Sequence, residues 1–351
     1  MRAFVISGPR QAALVETDTP TPGPGEALVR VLTCGICGSD LHAYEGTQPF
    51  FRFPEVPGHE VVGEIVKLVP RPGGPLRLLN RPLDEGLAEG ARVVLDPAMP
   101  CGHCHPCTHG RYNCCENMRV VGVHAPGALA QFYTAPLECL HRVPDDMSHR
   151  LAALVEPVSI GVQAAGRARI ADSDTVLVIG AGTIGLCVMM VAKARGARVV
   201  MSDISGVRRQ TAVRLGADLG LDPLSPDFLP ALQGFCAATG PEVVVEAVGK
   251  PATVGQALDL VVAGGRVVLL GLVSDDIRLP GSLMVRKELD FMGSRLHGGT
   301  IPPAVRILQD GLIDPTPLVT QCIDLDRSEQ GLRMMAQTPD EVLKILVEVS
   351  S

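Results

Sequence analysis

Residues 34–60 read CGICGSDLHAYEGTQPFFRFPEVPGHE and place a thiol at Cys37, a hydroxyl at Ser39, an imidazole at His42 and an adjacent imidazole–carboxylate pair at His59 and Glu60. A zinc ion that performs chemistry takes three N, S or carboxylate ligands and keeps a fourth position open. This stretch supplies about that set, with Cys37 and His59 as the proposed ligands. Taken singly, a Cys is more often a small buried hydrophobe and a His a hydrogen-bonded loop residue. The packaging decides for metal: Cys, Ser and His fall within six residues, and Gly-His-Glu follows soon after.

A second thiol group follows in CGHCHPCTHGRYNCC, with Cys101, Cys104 and Cys107, then Cys114 and Cys115. Four thiolates at C-x2-C-x2-C-x7-C close a tetrahedral shell, and the tight spacing lets one loop provide all of them. Such a shell leaves no open position, so its metal is structural. A DNA-reading finger needs a longer gap and a basic helix, and iron–sulfur runs have other spacings. On spacing alone Cys114 competes with Cys115 for the fourth place.

The third group is DTVLVIGAGTIGLCVMMVAKARGARVVMSDIS. A β-branched apolar strand leads into Gly180, Gly182 and Gly185, with Thr183 and Ile184 between them; a helix-length stretch and a second strand ending at Asp203 follow. Strand, glycines, helix, strand and acid in this order form a dinucleotide-binding unit, with pyrophosphate at the helix N-terminus. Asp203 can accept both ribose hydroxyls of NAD and repel the extra phosphate of NADP. NAD is the expected cofactor, although Arg208 could receive a 2′-phosphate. Val248, Gly249, Leu270 and Leu272 are expected at strand ends facing the nicotinamide, where ordinary turns are nearly as good a reading of each alone.

The elements that carry these groups divide along the chain. At 351 residues two domains are the default, and 46% hydrophobic with 20% charged residues fits a folded globular protein. A net charge of −7 argues against broad nucleic-acid binding, which needs clustered Lys and Arg. The sequence has neither a signal-like start nor an apolar run of membrane-spanning length, so a soluble, cytoplasmic protein acting on a small molecule is expected, and the eleven cysteines are read as reduced thiols and metal ligands. Residues 1–32 and HEVVGEIVKLV carry β-type runs, residues 70–90 form a Pro- and Gly-rich surface loop, and Pro157 suits the first turn of a helix. Beyond Asp203, short apolar strands alternate with helix-length segments, the pattern of an α/β doubly wound parallel sheet.

GICGSDLH with GHE, the four-cysteine run and the glycine motif together resemble the zinc-dependent medium-chain dehydrogenases, and the resemblance covers the whole chain except the 70–90 insertion. It implies a GroES-like β-rich catalytic domain over 1–155 with a zinc lobe near 97–117, a Rossmann domain over 156–293, and a return to the catalytic domain over 294–351, with the active site in the cleft between domains. It favours Cys115 as the fourth lobe ligand. The Glu156-Pro157 pair is similar to that of polyol and threonine dehydrogenases, where the Glu lies near the catalytic zinc, so Glu60 and Glu156 are both candidates for the third ligand. NAD-dependent sorbitol dehydrogenases carry an Arg at the position of Arg208, which keeps NAD. Gly-Ser-Arg at Ser294 and Arg295 resembles polyol-type members, and Leu296 departs from their usual Asn.

The reaction so implied is oxidation of a secondary alcohol, with proton exit through Ser39, the nicotinamide ribose and His42, and hydride transfer to NAD. The segment EGTQPFF is similar to one in a bacterial L-galactonate-type dehydrogenase, which favours a polyol or sugar acid and makes Tyr44, Arg52 and Arg295 substrate-site candidates. Threonine or a simple secondary alcohol is the alternative substrate. A zinc-free reductase and a non-catalytic NAD-sensing zinc protein are the alternative classes. The family implies a homodimer or homotetramer.

Overall fold

The computed structural model describes residues 1–72, 86–236, 239–273 and 275–349, so the interior of the loop expected over 70–90 lies outside the described residues. The chain forms two compact units, Met1–Glu156 with Ile301–Ser351, and Pro157–Thr300. The return begins at Ile301, later than the 294 expected from sequence, because the turn after the last strand of the second unit stays bonded within it. Thr300 Oγ1 donates to the Ser159 carbonyl at 2.7 Å.

In the first unit the elements run β1 (Arg2–Gly8), β2 (Gln11–Glu16), β3 (Glu26–Ile36), α1 (Gly38–Glu45), β4 (Glu60–Val69), β5 (Arg92–Leu95), β6 (Ala98–Met99), α2 (His105–Thr108), β7 (Arg119–Val120), β8 (Phe132–Pro136), β9 (Leu140–Arg142) and α3 (His149–Ala152). Helix α4 (Val155–Arg167) follows and carries Glu156 in its first turn.

The second unit is a strand–helix alternation: β10 (Thr175–Ile179), α5 (Thr183–Ala194), β11 (Arg198–Ser202), α6 (Gly206–Arg214), β12 (Leu219–Leu221), α7 (Phe228–Phe235), β13 (Val243–Glu246), α8 (Pro251–Leu260), β14 (Arg266–Leu269), α9 (Gly281–Lys287) and β15 (Asp290–Gly293). The chain ends with α10 (Ile301–Gln309), β16 (Val319–Asp324), α11 (Ser328–Gln337) and β17 (Lys344–Glu348).

The main sheet of the first unit is ordered β16-β17-β3-β4-β5-β9, with β8 also paired to β3. Along β3 alternate residues Ala27, Val29 and Val31 are fully buried, the period-2 signature of a strand with one face on a core. That core gathers Phe4, Ile36, Ile65, Leu95, Leu129 and Ile345. β17 lies antiparallel beside β3, with Ile345 opposite Ile36, so the end of the chain is built in next to the residues leading to Cys37.

The sheet of the second unit is ordered β12-β11-β10-β13-β14-β15, and all of its pairs are parallel. This is the doubly wound order, whose crevice opens where the order reverses, between β10 and β13. β10, TVLVI, is buried throughout, as a central parallel strand covered on both faces must be.

Candidate active site and metal centres

Cys37 ends the run of β3 and opens α1 as its N-cap residue. Its backbone N–H donates to Asp40 Oδ2 at 2.8 Å, and the Gly58 N–H donates to Asp40 Oδ1 at 3.1 Å. One buried carboxylate therefore joins the segment carrying Cys37 to the one carrying His59. Burial pushes the Asp40 carboxyl above its ordinary pKa, against the pull of His59 and these two amides.

The ligand atoms of Cys37, His59 and Glu60 all lie within 4.8 Å of one another. Burial alone would lower the His59 pKa, but the neighbouring Cys37 sulfur, Asp40 and Glu156 raise it well above its ordinary value. His59 Nδ1 and Ser39 Oγ are buried and lack a hydrogen-bond partner among the described residues. A thiolate, an imidazole and a carboxylate converging beside such orphaned polar atoms fit zinc.

Glu60 carries a constraint that its position in the sequence hides. The Lys344 ammonium, 3% exposed, donates to Glu60 Oε1 at 2.6 Å, to Oε2 at 2.7 Å and to the Ile36 carbonyl at 3.1 Å. The carboxylates raise the Lys344 pKa against its burial. A carboxylate offers about four lone-pair sites, so this contact leaves Glu60 able to ligate.

Glu156 is also buried but falls outside the three-residue donor group. Burial first, and then the Glu60 charge, push its carboxyl up to about 7 from 4.5. In the metal-free protein the folded state thus keeps a proton that the unfolded chain releases near pH 4.5. The stabilisation is full below pH 4.5 and is lost as pH rises towards 7. Glu156→Gln will flatten this slope, read as the urea midpoint of metal-free protein at pH 5 and pH 7.5. Equal slopes in the two proteins would show that Glu156 does not titrate in this range.

The second donor group unites Cys101, Cys104, Cys107 and Cys115, with all ligand atoms within 4.8 Å of one another. Cys115 takes the fourth place that spacing left open. Its sulfur accepts from the Cys101 and Asn117 N–H groups at 3.2 and 3.3 Å, while Cys114 instead lies 3.9 Å from Arg111 Nη2. Amides of His103 and Cys104 lower the Cys101 thiol to about 6, whereas burial and the Cys104 thiol push Cys107 up to about 12. Without a cation the four cannot all be thiolates, and binding a metal releases the remaining protons.

In the second unit Gly182 caps α5, Gly180 takes a φ of 102° that favours glycine, and a Cβ on Gly185 would fall 1.9 Å from the Gly180 carbonyl, so Gly180 and Gly185 permit a turn that side chains would block. Thr183 and Ile184 open the helix. Asp203 directly follows β11, with Oδ2 accepting from Ala181 N–H and Oδ1 from Ser205 N–H, both at 2.8 Å, which fixes the carboxylate beside the glycine turn. Arg208 follows in the first turn of α6. Its neighbour Arg209, not singled out from sequence, is held by Asp222 and by the Asp203 and Ile204 carbonyls.

Val248, Gly249, Leu270 and Leu272 do lie just past the ends of β13 and β14. Glu246, also missed, ties the two turns together. Its carboxylate accepts from Val248 N–H, Gly249 N–H and Thr253 Oγ1 at 2.7–3.0 Å, and its carbonyl accepts from Leu270 and Gly271 N–H.

The substrate candidates scatter. Tyr44 is buried in the first core with its hydroxyl donating to Glu329 Oε1 at 2.9 Å, so its visible task is to bind α1 to α11. Arg52 is exposed in the first unit, and Arg295 is exposed in the second, just after β15. His42 is exposed on α1, its Nδ1 3.1 Å from Thr47 Oγ1.

A β-rich unit with one open and one closed thiol-bearing donor set, followed by a doubly wound nucleotide-type unit, defines a metal-dependent, dinucleotide-linked oxidoreductase. Residues 23–145 match the family described as alcohol dehydrogenase GroES-like domain, and residues 183–310 match zinc-binding dehydrogenase. The chain is 36% identical over 296 residues to L-galactonate-5-dehydrogenase of Escherichia coli K12, covering 84% of this chain and 83% of that one. It superposes with a TM-score of 0.89 on the E. coli CFT073 alcohol dehydrogenase rspB complexed with NADH, at 30% identity over 99% of each chain. A zinc-binding dehydrogenase of Sinorhizobium meliloti bound to NADP gives 0.89 at 28% identity, covering 99% of this chain and 98% of that one. The chain belongs to the zinc-dependent medium-chain dehydrogenase superfamily and is an oxidoreductase acting on CH–OH donors. Among the described residues no helix is long and apolar enough to cross a membrane.

Proposed function

We propose that the protein oxidises a secondary alcohol, a polyol or sugar acid of the hexonate type, with NAD as hydride acceptor. The observation that carries this is the converging Cys37, His59 and Glu60 donors, together with a buried Ser39 hydroxyl two residues after Cys37 that has no partner among the described residues. Those three residues hold the catalytic zinc, with the Glu156 carboxylate buried nearby in charge, and Cys101, Cys104, Cys107 and Cys115 hold the structural one. When bound, the catalytic ion supplies Lewis acidity towards an alcohol oxygen. Ser39 Oγ accepts the alcohol proton as it gives up its own hydroxyl proton, which leaves to solvent by way of His42, exposed on the same helix. Lys344 keeps Glu60 in place, and Asp40 holds Cys37 and His59 at a fixed separation.

The L-galactonate-5-dehydrogenase relative supports a hexonate, and exposed Arg52 suits its carboxylate. Asp203 supports NAD, since a fixed carboxylate rejects a 2′-phosphate. A homodimer or homotetramer is proposed on family likeness, to be read by light scattering.

The test is NAD and NADP reduction by zinc-replete protein across hexonates, polyols, threonine and simple alcohols. Turnover confined to hexonates or polyols is expected. Exclusive turnover of threonine, or a clear preference for NADP, would overturn that part of the reading. Ser39→Ala will lower kcat by at least about 10²-fold, the scale of a lost proton-transfer group, with zinc content unchanged. Full activity in that variant would remove Ser39 from the relay.

A further inference from the structure

The chain that leaves the four-cysteine lobe runs directly onto the residue before His59. Cys115 receives the N–H of Asn117, and β7 then pairs with β6, Ala98 opposite Val120 and Met99 opposite Arg119, closing the base of the lobe. The Val121 N–H donates to the Pro97 carbonyl at 3.0 Å. The chain reverses as Gly122 N–H bonds the Ala125 carbonyl and His124 N–H bonds the Val120 carbonyl, both at 2.8 Å. It then lies along residues 56–58: Gly127 N–H donates to Val56 O at 2.7 Å, Ala128 N–H to Gly58 O at 2.9 Å and Leu129 N–H to Pro57 O at 3.0 Å.

The two backbones meet without room for a side chain. A Cβ on Gly127 would fall 2.3 Å from Pro57 O and 2.6 Å from Gly58 O, and one on Gly122 would fall 2.7 Å from Gly58 O. Ala128 and Leu129 are fully buried, so this contact cannot shift outward cheaply. At its far side Gly58 is held by Asp40, and His59 is the next residue.

We infer that residues 119–129 form a strap that transmits the state of the four-cysteine lobe to His59, so that a filled, ordered lobe makes the Cys37–His59–Glu60 centre hold its metal more firmly. Gly122 and Gly127 are positioning residues in this strap. The inference rests on the two-zinc reading above. The physical basis is that a short loop with four thiols converging inside it takes much of its shape from the ion they bind. An imidazole displaced by even a fraction of an ångström at the end of a rigid backbone contact loses ligand geometry.

The test is zinc release from the full-length protein into a colorimetric chelator, with no activity readout. Wild type is expected to release two equivalents in two phases, and His59→Ala, by deleting one phase, identifies it. Gly127→Ala will speed that phase at least about tenfold, the scale on which supporting shells change metal affinity, and leave the lobe phase within about twofold. Cys107→Ser, which empties the lobe from the other end, will speed the same phase by a similar factor and decides the matter if Gly127→Ala does not fold. An unchanged His59 phase in Cys107→Ser, or equal acceleration of both phases in Gly127→Ala, would overturn the strap. Fewer than two equivalents in wild type would instead defeat the two-zinc reading itself.

Discussion

His59→Ala protein will fold, carry one zinc equivalent fewer than wild type, and reduce NAD with its best alcohol on the order of 10²–10⁴-fold more slowly. The size follows from the several kcal/mol that a Lewis acid contributes to stabilising charge at a reacting oxygen, at about 1.36 kcal/mol per tenfold in rate. The residue is well suited to isolate that contribution. His59 is buried, its ring faces Cys37 and Glu60, and its Nδ1 bonds no other described residue, so the side-chain hydrogen bond that the substitution removes is the one to Cys37, within the donor group itself. Metal content by atomic emission and NADH absorbance read the two outcomes together. Wild-type zinc with wild-type turnover would mean that the donor group holds no catalytic ion. Lost zinc with retained turnover would assign the ion a structural task.

Lys344→Met will destabilise the metal-free protein by about 3–5 kcal/mol, because the substitution leaves Glu60 as an unpaired charge in a dry interior. No discount for solvent screening applies, since the two side chains are 4% and 1% exposed. Lys344 Nζ is the only ammonium bonded to Glu60 among the described residues, through both carboxylate oxygens. Metal-free protein is the right sample, since a bound cation would take over part of the lost charge. Glu60→Gln added to Lys344→Met should recover most of the loss, because the pair is then removed rather than broken. A single variant with an unshifted urea midpoint, or a double variant no better than the single, would show that the ion pair contributes little.

These two residues illustrate what a linear reading can and cannot reach. His59 was legible because its partners are near it in the chain. A loop supplies Cys37, a second loop supplies His59 and Glu60, and the spacing of the four-cysteine run is likewise local. The glycine turn and Asp203 were legible for the same reason, being one strand, one turn and one helix apart. Lys344 was not. It begins KILVE, an ordinary strand pattern, and only the pairing of β17 with β3 brings it to Glu60. The one available signal was a charged residue at the start of an otherwise apolar run.

Asp40 stood inside the motif yet showed no role until its two oxygens were seen to hold separate segments. Glu246 gave only the acid at the end of an apolar strand, and its task depends on where β14 ends. Tyr44 shows the converse: near the motif in sequence, it points its hydroxyl at Glu329, which a contact between distant helices supplies. Residues were readable where chemistry depends on neighbours in the chain and hidden where it depends on the order of strands.

The place of β17 also sets a timetable. The four lobe cysteines have all been made by residue 115, but the strand that neutralises Glu60 and flanks β3 begins 229 residues later, from 115 to 344. At about 5–20 residues per second the ribosome takes on the order of 10–45 s to cover that interval. The lobe can therefore capture its ion on the nascent chain, while the catalytic centre waits for β17 to be made. A chain truncated before Lys344 would hold its structural metal and leave Glu60 without its counter-ion.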